Sequence, residues 1–372
     1  ETYGCTANVS DSEIMAGLLN KGGHQIVAAV EDADAIIVNT CTVKGPTEAK
    51  IRSRIRQLQQ IGGKKLVIAG CMAEAQTGSA RELAPAAAVI GTHRIDEIVD
   101  AVEGRKSLAV GGSGVDKASL PKLSFNDFVS IIQINEGCMG SCSFCITKTA
   151  RGNTFSYPIG TIRNSVEDAV KKGRREIWLT SQDTGTYGLD RRASLPQLLQ
   201  QLCGINGDFQ TRVGMMNPAI ANHMLQPLID AFKHDKVFKF LHLPLQSGSN
   251  SVLAAMKRGY KVETFRKIVG EFRKHLPQIT IATDIICGFP TETEKDFKET
   301  SAVVEELKPD VVNVSRFWPR PGTAAAKMKR LPDEAVMSRS RRLHALAKKI
   351  ALDRNLNWVG WKGRAVIDEK GK

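Results

Sequence analysis

Short apolar runs rich in Ile and Val, each followed by a helical stretch, recur along most of these 372 residues. "DAIIVNTC" (34–41) and "KKLVIAGC" (64–71) are the sharpest examples. A short β-branched run with no polar alternation suits a strand covered on both faces, as in a parallel sheet. After them, "PTEAKIRSRIRQLQQIGG" and "MAEAQTGSARELAP" carry apolar residues at helical spacing and stop on Gly or Pro. "SDSEIMAGLLNKGG" reads as a capped amphipathic helix behind "ETYGC". The pattern predicts an α/β fold that opens with a parallel-sheet domain over residues 1–104. Residues 105–124, rich in Gly, Ser and Lys, read as a linker with room for one short strand. From Phe125 the alternation resumes. Strands are expected in "FVSIIQIN", "REIWLTSQD", "TRVGMMNP", "FKFLHLPLQ", "ITIATDIICGFP" and "VVNVSRFW", and they predict a partial or full (β/α) barrel within 125–358. The first residue is Glu and a strand starts abruptly there, so a trimmed N-terminus is expected.

Six of the eight cysteines fall at the C-terminal ends of expected strands or in the loop after one. Cys138, Cys142 and Cys145 follow the first barrel strand with spacing C-x3-C-x2-C, beside Gly137 and Gly140. In a barrel the functional face lies at the strand C-termini. A structural zinc takes four ligands and no His lies nearby in sequence, whereas a cluster held by three thiolates keeps one iron open. Cys5, Cys41 and Cys71 each end a strand of the first domain, the edge where open α/β sheets bind ligands. Neighbouring strands stand ~4.8 Å apart, close enough for three thiols to converge on one point. The alternative is that each is a small buried core residue. Cys203 and Cys287 read as core residues. A formal net charge of +13 favours a polyanionic partner, nucleic acid first, against a merely basic surface. No apolar run reaches the ~18 residues of a membrane span, and no signal peptide is apparent. Eight cysteines in a long chain without such a signal fit a reducing, cytoplasmic setting better than a disulfide framework.

"GCMGSCSFC", with Phe144 before its last cysteine, resembles the radical S-adenosylmethionine (SAM) enzymes. The resemblance implies a [4Fe–4S] cluster on Cys138, Cys142 and Cys145 whose open iron takes SAM, and a 5′-deoxyadenosyl radical made from it. Together with "ETYGC", "NTCTVKGPTE", "IAGCMAE", "HLPLQSGS", "MKRGY" and "TDIICGFPTET", the chain resembles the methylthiotransferases, a radical SAM family, over most of its length. "TKTARG", "WLTSQDTG" and "PRPGTAAAKM" resemble one branch, the archaeal and eukaryotic threonylcarbamoyladenosine tRNA methylthiotransferases. That likeness implies two [4Fe–4S] clusters, the second on Cys5, Cys41 and Cys71. It also implies SAM as both methyl donor and radical source, and addition of a methylthio group to C2 of the modified adenosine beside the anticodon. tRNA, an electron donor and a sulfur source are the implied partners, in a monomeric protein. Residues 359–372 would begin a small RNA-binding β-barrel of the TRAM type. Thr291 stands where this branch usually has Gly.

The likeness also implies site residues. Ser181, Gln182 and Asp183 end the second barrel strand, where relatives bind the SAM amino group. Asn217 ends the third and Gln246 and Ser247 the fourth. Asp284 and Gly288 lie where relatives contact the adenine through backbone, a Gly admitting close approach. Lys148, Arg151 and Arg316 flank the expected active face, where they would meet tRNA phosphates or the threonyl carboxylate; the alternative is a solvated basic rim. The basic stretch 339–349 reads as a solvated helix face. Two other functions stay open at this point: methylthiolation of a ribosomal-protein aspartate, and a non-catalytic iron–sulfur module that binds RNA.

Overall fold

The computed structural model describes residues 1–112 and 114–363. Its first sheet holds parallel strands β1 (Ala35–Thr40), β2 (Lys65–Gly70), β3 (Ala88–Ile90) and β4 (Leu108–Ala109), in that order. The N-terminal residues add to the β1 edge through Tyr3 N–H to Asn39 O, 3.0 Å, and Asn39 N–H to Glu1 O, 2.9 Å. Strand periodicity sends alternate side chains to opposite faces. Ile36, Val38 and Ile68 pack on Ile51, Ile55 and Leu58 of the helix Gly45–Gln59. Val67 and Ala69 pack on Ile14, Met15 and Leu19 of the helix Thr6–Lys21 and on Ile98 and Ala101 of the helix Ile98–Glu103. The fourth strand therefore lies inside the segment read as linker.

The second sheet follows the expected strands: β5 (Val129–Gln133), then the short hairpin β6 (Asn135–Glu136) and β7 (Phe155–Ser156), β8 (Glu176–Thr180), β9 (Gln210–Val213), β10 (Phe240–His242), β11 (Thr280–Cys287) and β12 (Val311–Arg316). β5, β8 and β9 pair in parallel, as do β10, β11 and β12. The two groups join through a bridge from Thr211 to Val237 and through Met216 N–H to His242 O, 3.1 Å. Among the described residues β5 and β12 do not pair, so the barrel is partial and open. Ile132, Ile177, Leu179, Val213, Leu241 and Ile281 meet the surrounding helices in one core. The alternating residues line the lumen, where Arg212 lies between the rings of Trp178 and Phe240, 4.6 and 4.5 Å from their centroids. The last helix, Asp333–Leu356, packs Leu343 and Ile350 on Ile285, Val312 and Val314.

An open barrel exposes strand edges that need cover. Here the linker supplies it. Lys122 Nζ caps Ile131 O of β5, and Ser10 Oγ reaches the same carbonyl at 3.5 Å. To reach β5 the linker crosses the helix Thr6–Lys21 at Gly17, where an added Cβ would stand 2.5 Å from Pro121 O. That helix is the largest departure from expectation. It begins at Thr6, four residues ahead of the polar "SDSE", and Ser10, Asp11, Ser12 and Glu13 are buried. Wedged between the two sheets, it has no solvent face to keep polar.

Arg339 also departs from expectation: it is buried against Glu292 at 2.7 Å rather than solvated. Residues 359–363 are turn and coil, and the remainder of the expected final unit, 364–372, lies outside the described residues. No helix among the described residues is long and apolar enough to cross a membrane.

Two helical glycines make opposed predictions. Gly→Ala in an exposed helix gains ~1 kcal/mol of propensity. Gly270, in the helix Val262–His275, has open space at its Cβ position, so Gly270→Ala is expected to stabilise by about that amount. Gly17→Ala meets backbone, whose overpacking cost of roughly 1–3 kcal/mol outweighs the same gain. Urea unfolding of both variants should show shifts of opposite sign.

Candidate active site

The C-terminal edges of the two sheets face each other, and the helix Thr6–Lys21 starts between them. Thr6 Oγ1 lies 2.6 Å from Thr180 Oγ1, which links the start of that helix to the end of β8. Cys5 is the N-cap of the helix, Cys41 follows β1, and Cys71 opens the short helix Cys71–Ala75 after β2. The thiols of Cys5 and Cys71 point at one acceptor, Asn8 Oδ1, at 3.8 and 3.7 Å. Asn8 Nδ2 donates to Tyr3 O at 2.7 Å and to Thr40 O at 2.9 Å, tying together the strand ends that carry Cys5 and Cys41. Two of the three thiols, Cys5 and Cys71, thus share one acceptor, and Cys41 follows the neighbouring strand end.

The second set lies in the loop framed by β6 and β7. Gly140 N–H donates to Cys138 Sγ at 3.2 Å, Thr147 N–H to Cys145 Sγ at 3.4 Å, and Arg258 Nη1 to Cys142 Sγ at 3.1 Å. A cleft of about 220 Å³ opens over the three thiols, with Lys148, Lys257 and Thr323 on its walls. N–H groups aimed at sulfur stabilise thiolate, and hydrogen bonds of this kind tune a bound iron–sulfur cluster. Among the described residues no three His, Cys, Asp or Glu side chains stand close enough for a single metal ion. Thiolates on one zinc lie within about 4 Å of each other, as ~2.3 Å bonds require. Each set brings three free cysteines and, among the described residues, no fourth thiol, a donor set that fits a cluster with one open iron.

One element joins the two sites. The helix Thr147–Arg151 begins two residues after Cys145 and packs on the helix Cys71–Ala75. Arg151 closes it with Nη1 2.7 Å from both Asp11 Oδ2 and Glu136 Oε1, and Nη2 2.7 Å from Asn8 Oδ1. Lys117 Nζ completes the cluster, 2.9 Å from Asp11 Oδ1 and 2.7 Å from Glu136 Oε1. Arg151 is 1 % exposed, which corrects its expected role at the substrate: as placed it reaches neither solvent nor tRNA phosphate. Burial alone would raise the Asp11 carboxyl, but Arg151 and Lys117 outweigh it and hold it below the usual range. Burial pushes the Cys71 thiol up to about 12 despite Arg151, and the Cys138 thiol up to about 11.

The other expected residues divide. Gln182 Oε1 accepts Gly137 N–H at 2.7 Å and so shapes the start of the cysteine loop. Ser181 Oγ accepts Asp183 N–H, and Asp183 Oδ1 accepts Gly185 and Asn217 N–H at 3.1 and 3.0 Å. Burial lifts the Asp183 carboxyl to about 6. Asn217 caps the next helix through Ala219 N–H. Gln246 has φ +68° and a buried Oε1 with no partner in the structure. Ser247 is buried against Thr300. Phe144 stacks edge-on with Phe289, their centroids 6.5 Å apart. Asp284 lies in the lumen with His242 Nε2 at 3.0 Å and Asn313 Nδ2 at 2.9 Å. Burial opposes its ionisation, but His242, Asn313 and Lys44 of the first domain together hold its carboxyl low. Gly288 has φ +79°, and an added Cβ would meet Val336 Cγ2 at 2.5 Å, so the C-terminal helix also requires a bare Cα there. Lys148 and Arg316 are exposed, Arg316 over the Trp318 ring. Cys203 and Cys287 pack in apolar cores, as expected.

Sequence reasoning missed Asn8, Asp11, Lys117, Glu136 and Arg258. A buried ion cluster leaves no local periodicity. The usable signal was chemical: Asn8 and Asp11 fall on a segment that must touch the Cys5 strand end.

Comparison with known proteins follows this geometry. Residues 1–91 match the family described as uncharacterized protein family UPF0004, and residues 132–304 match the radical SAM superfamily. A Pyrococcus horikoshii protein named probable threonylcarbamoyladenosine tRNA methylthiotransferase is 44 % identical over 379 residues, covering 100 % of this chain and 88 % of its own. The Homo sapiens threonylcarbamoyladenosine tRNA methylthiotransferase is 41 % identical, covering 92 % of this chain and 61 % of its own. Among solved structures, the radical SAM methyltransferase TsrM from Kitasatospora setae, with cobalamin and a [4Fe–4S] cluster bound, superposes with TM-score 0.59 at 12 % identity over 85 % of this chain and 73 % of that one. The cobalamin-dependent radical enzyme OxsB reaches 0.59 at 11 % identity over 92 % and 53 %. At such identity these two show the fold alone.

Asp183 makes a pH prediction. Its folded pKa of about 6 exceeds the ordinary aspartate value of 3.8, so its protonated form is favoured in the native state. The resulting stability is fully present below ~4 and is lost as pH rises through ~6. Asp183→Asn keeps an oxygen for the two N–H groups and removes the ionisation. Metal-free Asp183→Asn protein is expected to gain on wild type between pH 4 and pH 7, by about 2–3 kcal/mol in urea unfolding.

Proposed function

The chain belongs to the threonylcarbamoyladenosine tRNA methylthiotransferase family, and from that premise we propose that it transfers a methylthio group to C2 of N6-threonylcarbamoyladenosine beside the anticodon of tRNA. The observation that carries this reading is the pairing of two tri-cysteine sites across one interface, joined by the helix Thr147–Arg151. Cys138, Cys142 and Cys145 would hold one [4Fe–4S] cluster, and Cys5, Cys41 and Cys71 the other. When bound, the first supplies with SAM a radical able to take hydrogen from carbon, and the second carries the sulfur that a further SAM methylates.

The chain's own residues bind and orient. Gln182 holds the backbone at Gly137 and so the entry to the cysteine loop. Asp183, fixed by two backbone N–H groups, presents its other oxygen toward the SAM amino group. Asp284, kept ionised by His242 and Asn313, orients the base within the lumen. Arg258 holds Cys142. Lys148 and Arg316, exposed at the rim, meet the threonyl carboxylate and the phosphates. An arginine suits a carboxylate because its planar fork binds it bidentately. The electron and the sulfur come from outside partners. The protein acts as a cytoplasmic monomer on tRNA that already carries the threonylcarbamoyl group.

Mass spectrometry of tRNA nucleosides from cells with and without the protein tests the reading; loss of the methylthio nucleoside is expected, and an unchanged nucleoside pool would overturn it. Two variants sharpen the test. Replacing Cys5, Cys41 and Cys71 together by Ala is expected to lower iron from about eight to about four per chain. Release of 5′-deoxyadenosine should persist in that variant while the methylthio product disappears. Arg316→Met is expected to reduce the preference for threonylcarbamoylated over unmodified tRNA by about ten- to a hundredfold, the worth of a charge-assisted pair of ~1.5–3 kcal/mol. Competition between the two tRNAs measures it.

A further inference from the structure

We infer that Arg151 is the positioning residue of the Cys5–Cys41–Cys71 site, holding the Asn8 side chain that ties the strand ends bearing Cys5 and Cys41 and supplying a fixed positive charge beside them; this rests on the two-cluster reading above. The two cations and two carboxylates of the buried cluster cancel, Arg151 and Lys117 against Asp11 and Glu136. Arg151 nevertheless spends one guanidinium nitrogen outside that set, on Asn8 Oδ1 at 2.7 Å. Asn8 is the residue to which Cys5 and Cys71 both point, and whose amide ties Tyr3 O to Thr40 O. The guanidinium therefore holds Asn8, and Asn8 holds the strand ends bearing Cys5 and Cys41.

Its second effect is electrostatic. A three-thiolate cluster adds negative charge to a site where Cys41 and Cys71 are buried and Cys5 is exposed, and the guanidinium is a cation placed against its buried side. At low dielectric one such charge favours the more negative, reduced state of a neighbouring group strongly. Lys cannot replace it. An ammonium offers a point charge and no planar fork, so it cannot span Asp11, Glu136 and Asn8 with the same geometry. The same helix also fixes distance. Thr147 at its start holds Cys145, and Arg151 at its end holds Asn8, so one rigid turn sets both sites in register.

The test uses the full chain, reconstituted anaerobically, with iron and sulfide counted and redox titration followed by electron paramagnetic resonance. Wild type should hold about eight irons in two distinguishable four-iron clusters. Arg151→Lys, which keeps the charge and the core ion pairs, is expected to retain the Cys138–Cys142–Cys145 cluster fully. It should bind the other at reduced occupancy, with altered resonance. Arg151→Met should lose the second cluster, falling to about four irons, and any residual signal from it should titrate at a lower potential. Because Arg151→Met leaves buried carboxylates with one cation and can misfold, Asn8→Ala serves as the second variant: it leaves the ion pairs intact and should lose the same cluster selectively. Eight irons with unchanged potentials in all three variants would overturn the inference. Equal loss of both clusters would also overturn it, since that marks a general structural role. Only four irons in wild type would instead sink the two-cluster reading itself.

Discussion

Four charged side chains buried where the two sheets meet set the geometry of everything else. Asp11, Glu136, Arg151 and Lys117 come from four separate segments: the first helix, the hairpin strand β6, the helix after the cysteine loop, and the linker. All are nearly inaccessible to solvent. Burying such ions costs several kcal/mol each, recovered only when every charge is paired with good geometry. Here each cation meets both carboxylates at 2.7–2.9 Å. An apolar interface could slide; this one pairs each charge in one arrangement, with Asp11 Oδ2 held by charge alone. Gln133 of β5 adds a further bond to Asp11 at 2.7 Å, and Arg320 reaches across to Glu48 at 2.8 Å on the other side of the interface. Removing one member strands its partner, at about 3–5 kcal/mol. Specificity of docking is the gain, and the separation of the two cysteine sites follows from it.

On the proposed reading the thiols are metal ligands, and as free thiols they are poorly suited to act alone. Burial raises Cys41, Cys71, Cys138 and Cys145 above the ordinary thiol range. A nucleophilic cysteine needs the opposite, a depressed pKa. Binding iron drives deprotonation directly, so cluster assembly releases protons and stabilises the fold that holds the ligands. The N–H groups of Gly140 and Thr147 and the guanidinium of Arg258 already point at sulfur, so the charge that metal brings meets donors in place. That is the difference between a buried structural cysteine such as Cys287, which lies among Ile285, Phe297 and Leu343, and a ligand.

How much of this was legible follows from where the information lies. Strand positions were readable because parallel strands are continuous Ile/Val runs, and six of them appear where expected in the barrel. Cysteine convergence was readable because strand ends of one parallel sheet share an edge. Arg151 was misread because "TKTARG" carries no local mark of burial. Its partners lie 15 and 140 residues away in sequence, at Glu136 and Asp11. "SDSE" was misread for the same reason: a polar run signals solvent only when no second domain covers it. Gly288 shows the limit from another side. A bare Cα fits a ligand or a neighbouring helix equally well, and the packing of Val336 against it could not be read from the sequence.

The charge balance gives the last step. Charges buried between the sheets come in pairs, and Arg339, also buried, is matched by Glu292. Among the described residues seven buried carboxylates face four buried cations, so the chain's positive surplus sits on the exterior, where ion pairs are worth little and the summed field reaches furthest. Such a field attracts any polyanion and discriminates poorly among them. On the proposed reading, discrimination falls to groups that are few and oriented: Asp284 locked between His242 and Asn313, and Arg316 steadied by Trp318. Interior pairing and exterior surplus thus do separate work. One fixes the spacing of the two cysteine sets; the other gives the exterior a field that attracts polyanions. A rise in salt weakens the second and leaves the first, because screening acts on exposed charges far more than on buried ones.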